Sequence, residues 1–412
     1  MSEQQPPVAP DAVHRAGEAG YRRITVALFA AGVATFALLY STQALLPELS
    51  RAFSVSAAES TWSLSLTTAG LGVALLVAGP LSEVVGRTRL IHLSLAASTV
   101  VAIGCALAPT WEVLLALRLL EGLTLAGLPA VATAYLREEL HPDTHARAAG
   151  LYIGGTALGG MTGRLVTGAI GDVADWRWAL ATMAVVVAAC TVVVRVLLPP
   201  SRHFVPVPAR PASLLAMTRR SVADPALLAL YGIGACVMGA FVAVFNALGF
   251  RLTSAPFGLS LGAAGLVFLV YPVGSVSSAV AGRLADRFSR RAVVPIGCLV
   301  AVAGVLLTLP RSLPVVVLGL AVLTTGFFAV HGVASGWVPT RAHAGGVAAG
   351  QAASLYLFAY YLGSSVFGSL AGSAWTAGGW PAVVALATAL LAVSGLLALV
   401  LHRTPSLDPL RR

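Results

Sequence analysis

Runs of apolar residues, each about twenty long and closed by a short polar or glycine- and proline-bearing break, follow one another along almost the whole chain. They cover residues 24–47, 60–82, 90–109, 111–135, 148–171, 177–198, 225–249, 263–284, 292–310, 314–338, 348–374 and 381–401. Each is long enough to cross a hydrocarbon core of about 30 Å as a helix, so the pattern predicts twelve transmembrane α-helices and no barrel.

The pattern also repeats. "AAGLYIGGTALGG" from Ala148 aligns with "AASLYLFAYYLGSS" from Ala352, placing Tyr152 on Tyr356, Gly159 on Gly363 and Trp176 on Trp380. Gly122 falls on Gly326 in the same register, and "GPLSEVVGRTR" from Gly79 falls on "GRLADRFSRR" from Gly282. The predicted organisation is a tail (1–23), a six-helix bundle (24–198), a linker (199–224), a second six-helix bundle (225–401) and a tail (402–412). Six crossings per half give both halves one orientation. That predicts parallel repeats about an axis along the membrane normal, with a midplane cavity between them.

Composition agrees with the pattern: 58% of the 412 residues are hydrophobic and 10% charged, against about 25% charged in soluble domains. The net charge of +10 comes entirely from arginine. In a soluble protein it would suggest nucleic acid, but here the arginines gather in alternate loops. Arg22, Arg23, Arg87, Arg89, Arg219, Arg220, Arg290 and Arg291 share the face of the termini, whereas Arg51, Arg177, Arg251 and Arg311 lie opposite. The excess therefore reads as a topology signal that places both termini in the cytoplasm of an inner (plasma) membrane, with lipid as the partner and no nucleic acid. The four cysteines fall inside spans without C-x-x-C spacing, so no disulfide, metal site or cofactor is expected. The first 23 residues lack a signal-peptide core.

Gly282, Leu284, Asp286, Arg287, Arg290 and Arg291 fit the pattern G-x-L-x-D-R-x-G-R-R, with Ser289 at the second glycine. In the first copy Gly79, Leu81, Gly86 and Arg87 fit, but Glu83 stands for the aspartate and Val84 for the first arginine. Arg118, Glu121 and Gly122 follow R-x-x-Q/E-G. Gly155, Gly159 and Gly163 follow G-x-x-x-G-P-x-x-G-G, with Gly160 in the proline position and Arg164 at the last glycine. On these residues the chain resembles the major facilitator superfamily over residues 20–402, and "GGMTGR" most resembles its acriflavine-sensitivity branch. The resemblance implies two rocking halves and an interhelix clasp at Gly79, Glu83, Gly86 and Arg87 and at Gly282, Asp286, Arg287, Arg290 and Arg291. With Val84 present, the first clasp is expected to lean on Glu83 and Arg89.

The ionisable groups inside the spans are Arg118, Glu121, Arg164 and His331, Arg195 being near enough to an end to snorkel. Each interior charge costs at least ~2.5 kcal/mol, so each needs a partner, water or a function. Glu121 lies three residues from Arg118 on one helical face and can pair with it, either as a structural ion pair or as a proton carrier if the pair opens. Two cations against one carboxylate predict a net positive pocket. Arg164 is either a contact for an anionic or polar substrate or a brace within the first half. Gly155, Gly159 and Gly163 form a small-residue packing stripe, with Gly160 beside it. His331 is a packing residue or a titrating one. The resemblance adds Tyr40, Gln43, Asn246, Tyr356, Tyr360 and Tyr361 as polar groups on cavity-lining helices.

No P-loop, nucleophile elbow or metal-ligand cluster occurs, which excludes an ATP-driven pump and an enzyme of those kinds. The expected function is secondary active export of a small organic molecule in exchange for protons, by a monomer. Uptake or exchange of a small organic anion is the second reading, and a transport-inactive sensor a distant third.

Overall fold

The computed structural model describes residues 13–204 and 211–404. Residues 1–12, 205–210 and 405–412, with Arg210, Arg411 and Arg412, lie outside them. Eleven of the helices that follow are α1 (Ala19–Leu39), α2 (Trp62–Val85), α3 (Arg87–Ala106), α4 (Trp111–Glu139), α5 (His145–Val173), α6 (Trp176–Leu197), α7 (Pro225–Thr253), α8 (Leu261–Arg287), α9 (Arg290–Leu307), α10 (Leu313–Ala344) and α11, residues 349–377. The twelfth, α12, spans 380–403 and is separated from α11 only by the non-helical pair Gly378 and Gly379. Gly379 has φ of 61°, a conformation that a side chain resists, and Pro381 then restarts the helix as a favoured first-turn residue. The twelve helices match the apolar runs to within a few residues at most ends.

Side-chain caps begin several of these helices. Thr110, Asp175, Asp224 and Ser289 accept from first-turn amides of α4, α6, α7 and α9, satisfying donors that have no helical partner. α1 departs from a single rod. It breaks at Tyr40–Thr42, continues as a short 3-10 turn (Gln43–Leu45) and resumes as a helix (Leu46–Ala52). The sequence run 24–47 has one glycine, Gly32, well before the break, and only a late proline, Pro47, after it, so the break itself lacks a conventional breaker.

α1 and α7, the first helix of each half, are the most enveloped, with 72% and 83% of their apolar windows buried, against 28% for α6 at the periphery. The glycine stripe explains part of this. A Cβ on Gly155 or Gly163 would meet Phe29 Cα or Ala37 Cα of α1 at 3.0 and 2.9 Å, and Gly159 sits against Val33 between them. Gly363 repeats the arrangement in the second half, where a Cβ would meet the Ala235 carbonyl carbon of α7 at 2.6 Å. Close approach of two backbones is therefore what these glycines provide.

The halves touch along α2 with α11 and along α5 with α8. Gly72 abuts Tyr361 and Phe358, and Gly171 abuts Leu45 and Leu261. On the face opposite the termini, Gly372 rests on Ala57 and Ala58, and Gly249 on Pro47. Among the described residues, the hydrogen bonds that cross between the halves are Gln43 to Asn246 and Asp172 to the Leu261 amide. Both lie at mid-depth or toward that face, so the halves are sealed there.

Candidate functional site

The break in α1 exposes backbone carbonyls inside a membrane-embedded bundle, where no bulk water can satisfy them. Arg118 of α4 takes them up. Its Nη1 donates to Leu38 O at 3.3 Å and its Nη2 to Leu39 O at 3.2 Å. Nη1 also donates to Ser41 Oγ at 3.2 Å and Nη2 to Thr42 Oγ1 at 3.4 Å, while Nε donates to Ser63 O of α2 at 2.8 Å. Nη1 further pairs with the Glu121 carboxylate, and both side chains are about 1% exposed. A cation at the carboxyl end of a helix segment is placed where the helix dipole favours it. The expected net positive pocket therefore divides. Arg118 and Glu121 neutralise each other in a closed cage, and the charge that is left is Arg164.

Arg164 of α5 is also buried, 1% exposed, but its surroundings differ. Nε donates to Gln43 Oε1 at 2.5 Å and Nη1 to Gly160 O at 2.6 Å. No carboxylate lies within ion-pair distance among the described residues. Aromatic rings take that place: Tyr40 at 4.0 Å, Tyr271 at 4.6 Å and Phe268 at 5.0 Å from the guanidinium carbon. Cation–π contacts of this kind stabilise a desolvated guanidinium without cancelling its charge.

Gln43 carries the polar chain onward. Its Nε2 donates to Asn246 Oδ1 at 2.7 Å, and Asn246 Nδ2 donates to Gly368 O at 3.2 Å. The chain thus runs from α5 through the α1 break to α7 and α11. Sequence-predicted Tyr40, Gln43, Asn246 and Arg164 therefore come together, while Arg118 and Glu121 stand apart on the other side of the break. In the second half, His331 Nδ1 lies 3.0 Å from Tyr356 Oη, and Tyr360 packs 4.6 Å from the His331 ring. Tyr361 stands edge-on to Tyr360 and against Gly72.

Phe268 and Tyr271, both on α8, were not among the sequence candidates. Tyr271 precedes a proline within an apolar run and looks like a helix-start residue; only the tertiary approach of α8 to α5 puts it over Arg164. The same holds for Asp172, at the end of α5, which reads as an ordinary boundary residue. Its Oδ1 accepts from the Leu261 amide at 3.0 Å, tying α5 to the start of α8 across the halves.

Asp172 lines a cavity of about 740 Å³ on the sealed face, together with Glu48, Arg51, Phe250, Ser254 and Leu261. Behind Leu261 the space narrows to about 10 Å³ between Gln43, Phe245, Gly265 and Phe268. The residues that close this throat are therefore the neighbours of Arg164. Replacing Asp172 with alanine removes a charge from the amino end of α8, worth about 0.5–1 kcal/mol. The sealed state should lose about two- to fivefold in population, read as a longer distance between spin labels at positions 174 and 258. An unchanged distance distribution would deny Asp172 this role.

The first motif loop is closed within its own half. Arg87 donates to Glu83 at 2.7 Å, to Glu138 at 3.0 and 3.1 Å, and to Ser82 Oγ. Arg89 is exposed, so the clasp leans on Arg87 and Glu138 instead of Arg89: Arg87 starts α3 pointing toward α4, and Arg89 is turned away from it. Gly86, with φ of 99°, makes the turn that Gly79 and Glu83 lead into. In the second copy Asp286 and Arg287 are exposed beyond Gly282, and Asp286 makes no ion pair among the described residues. Arg290 begins α9, and Arg291 donates to His402 O and Thr404 O at 3.2 and 2.7 Å. Ala342 stands 204 positions after Glu138, which removes the acid that would complete the equivalent clasp. Among the described residues no cluster of three metal-ligating side chains occurs.

Comparison with known proteins places this geometry. Residues 27–350 match the model of the Major Facilitator Superfamily. The chain is 40% identical to an uncharacterised MFS-type transporter, YybF, of Bacillus subtilis over 92% of its length and 93% of the relative's. It is also 40% identical to the inner membrane transport protein YnfM of Escherichia coli, covering 96% of this chain and 94% of that one. Among solved structures, a bacterial homolog of the human lysosomal transporter Spinster superposes with a TM-score of 0.73 at 16% identity, covering 94% of this chain and 98% of that one, which bears on the fold alone. With twelve helices in the expected places and full-length relatives that are transporters and not enzymes, the chain belongs to the major facilitator superfamily, in the branch that includes YnfM.

Proposed function

We propose that this secondary transporter exports a small organic anion from the cytoplasm, binding it at Arg164. The observation that carries the reading is the contrast between the two most deeply buried arginines, Arg118 and Arg164. Arg118 has an acid and five oxygen acceptors besides, whereas Arg164 has aromatic faces, one amide oxygen and one carbonyl. A buried charge without a counterion is costly to keep, and an anionic substrate lowers that cost when it binds.

With the arginine-rich loops taken as cytoplasmic, the sealed face is the outer one. An inside-negative potential drives a monoanion outward by about 2.3 kcal/mol per 100 mV, so charge and direction support each other. The glycine stripe of α5, similar to the family's export motif, points the same way. Proton exchange would add to the drive, with Glu121 and His331 as the interior groups able to accept a proton. Asp286, exposed here, is free to join a cross-half clasp when the inner side closes. Each chain holds a complete set of these residues, so a monomer suffices.

Reconstituted protein tests the reading. Vesicles are loaded with the acids and amines that best stabilise the purified protein, and an interior-negative potential is imposed. Acids should leave faster with the potential than without it. Preference for amines, or potential-driven accumulation of acids, would contradict the proposal.

A further inference from the structure

Arg164 shows its guanidinium to an enclosure of rings, and two polar groups there are left over. Nη2 of Arg164 makes no hydrogen bond among the described residues. The hydroxyl of Tyr271, whose ring centroid lies 4.6 Å from the guanidinium carbon, is buried without a partner. An unpaired buried hydroxyl is uncommon and costly. Both groups are donors, and a carboxylate has two oxygens to offer them.

Tyr271 also begins a continuous aromatic wall. Its ring lies 5.5 Å from Phe241, and Phe241 stacks on Phe327 at 4.0 Å with 16° between the planes. Phe327 is parallel to His331 within 6° at 5.9 Å, and His331 lies 4.6 Å from Tyr360. His331 and Tyr360, at the far end, are partly exposed. Aromatics make up only 7% of the chain, so their concentration beside Arg164 asks for a reason; the other buried arginine without an acid among the described residues, Arg251, sits at the carboxyl end of α7 and is taken up by the Thr308, Leu309 and Pro310 carbonyls. Near-parallel faces with a polar edge suit a flat ring, which gains from offset stacking beyond the area it buries.

Charge sets the remaining constraint. Arg118 and Glu121 cancel, and Arg164 leaves a single positive charge. One carboxylate neutralises it; a second would be buried unpaired, and an amine would add a like charge.

We propose that the substrate is a planar aromatic monocarboxylate, its carboxylate held by Arg164 and the Tyr271 hydroxyl and its ring laid along the wall that ends at His331 and Tyr360. The inference rests on the anion reading above and narrows it. Nothing in the second-half wall is supplied by the glycine or clasp motifs, so it is a property of this chain's own helices.

The test is a binding titration of the purified full-length protein with four probes: 1-naphthoate, cyclohexanecarboxylate, naphthalene-1,4-dicarboxylate and 1-naphthylmethylamine. The naphthoate should bind best. Loss of ring stacking should weaken cyclohexanecarboxylate about three- to tenfold. Tyr271→Phe, which keeps the ring and removes only the hydroxyl, should weaken naphthoate about tenfold while leaving the melting temperature of the free protein unchanged. Arg164→Lys keeps the charge but not the fork, and should weaken it further. Equal binding of the cyclohexane acid, tighter binding of the amine or dicarboxylate, or no effect of Tyr271→Phe would overturn the proposal. Failure of the transport reading is separable. Naphthoate that binds but is not moved across proteoliposomes leaves this inference standing without transport, and Arg164-dependent flux of a non-aromatic acid leaves transport standing without this inference.

Discussion

Replacing Arg118 with methionine should cost the protein about 3–5 kcal/mol of stability, because it strands the Glu121 carboxylate in a water-free interior. Arg118 also spans the α1 break, where Leu38 O, Leu39 O, Ser63 O and two hydroxyls accept from it. Removing the guanidinium leaves these acceptors to find each other or to remain unpaired, so the first half should loosen around residues 38–43. The measurement is melting of purified protein, expected to fall by about 10 °C, with a matching loss of folded yield. The double variant Arg118→Met with Glu121→Leu should recover part of the loss, since an apolar pair can replace a buried ion pair at little cost. Recovery should be incomplete, because Leu39 O of the break still lacks the donor that Arg118 supplied. A single variant that melts like the parent would show that the cage does not hold the fold.

Arg164→Gln should do the opposite. Glutamine can still reach a polar neighbour, and the lost contacts are two hydrogen bonds and three cation–π contacts beside rings that pack on one another anyway. The net cost to stability should be about 1–2 kcal/mol. Transport should fall by at least about thirtyfold, because truncating one partner of a buried, hydrogen-bonded charge pair costs 2–5 kcal/mol of binding. Gly160 matters in the same place. A side chain there would sit 3.3 Å from Arg164 Nη1 and push the guanidinium off its carbonyl, which gives a steric reason for glycine where the family pattern has proline.

Much of this was legible in the chain itself. The spans follow from run length alone, and the Arg118–Glu121 pair follows from a three-residue spacing on one helix. The glycine stripe could be read as a close helix contact, and Phe29, Val33 and Ala37 of α1 turn out to be what it contacts. α5 is absent from the helices that pass on length and hydropathy, since its apolar run is diluted by glycines and by Arg164, yet the length of that run still marked it as a span. The break in α1 was hidden, because Ser41, Thr42 and Gln43 carry no breaker and the donor that stabilises the break sits on α4. Tyr271 and Phe268 were hidden for a related reason. What makes them site residues is their distance from Arg164 on the other half, and no periodicity within α8 encodes it. The clasp was expected to lean on Glu83 and Arg89 because Val84 replaces the motif's first arginine, whereas the acid that decides, Glu138, comes from the end of α4 and pairs with Arg87.

The account turns on a division of labour between two buried arginines, one holding the fold and one facing substrate. The direct test sets melting temperature beside the transport rate per folded molecule for Arg118→Met and Arg164→Gln, using whichever solute most stabilises the parent protein. Arg118→Met should lose melting temperature, and Arg164→Gln should keep most of it while transport disappears. An Arg164→Gln protein that transports at the parental rate once folded, or that fails to fold where Arg118→Met succeeds, would contradict the account.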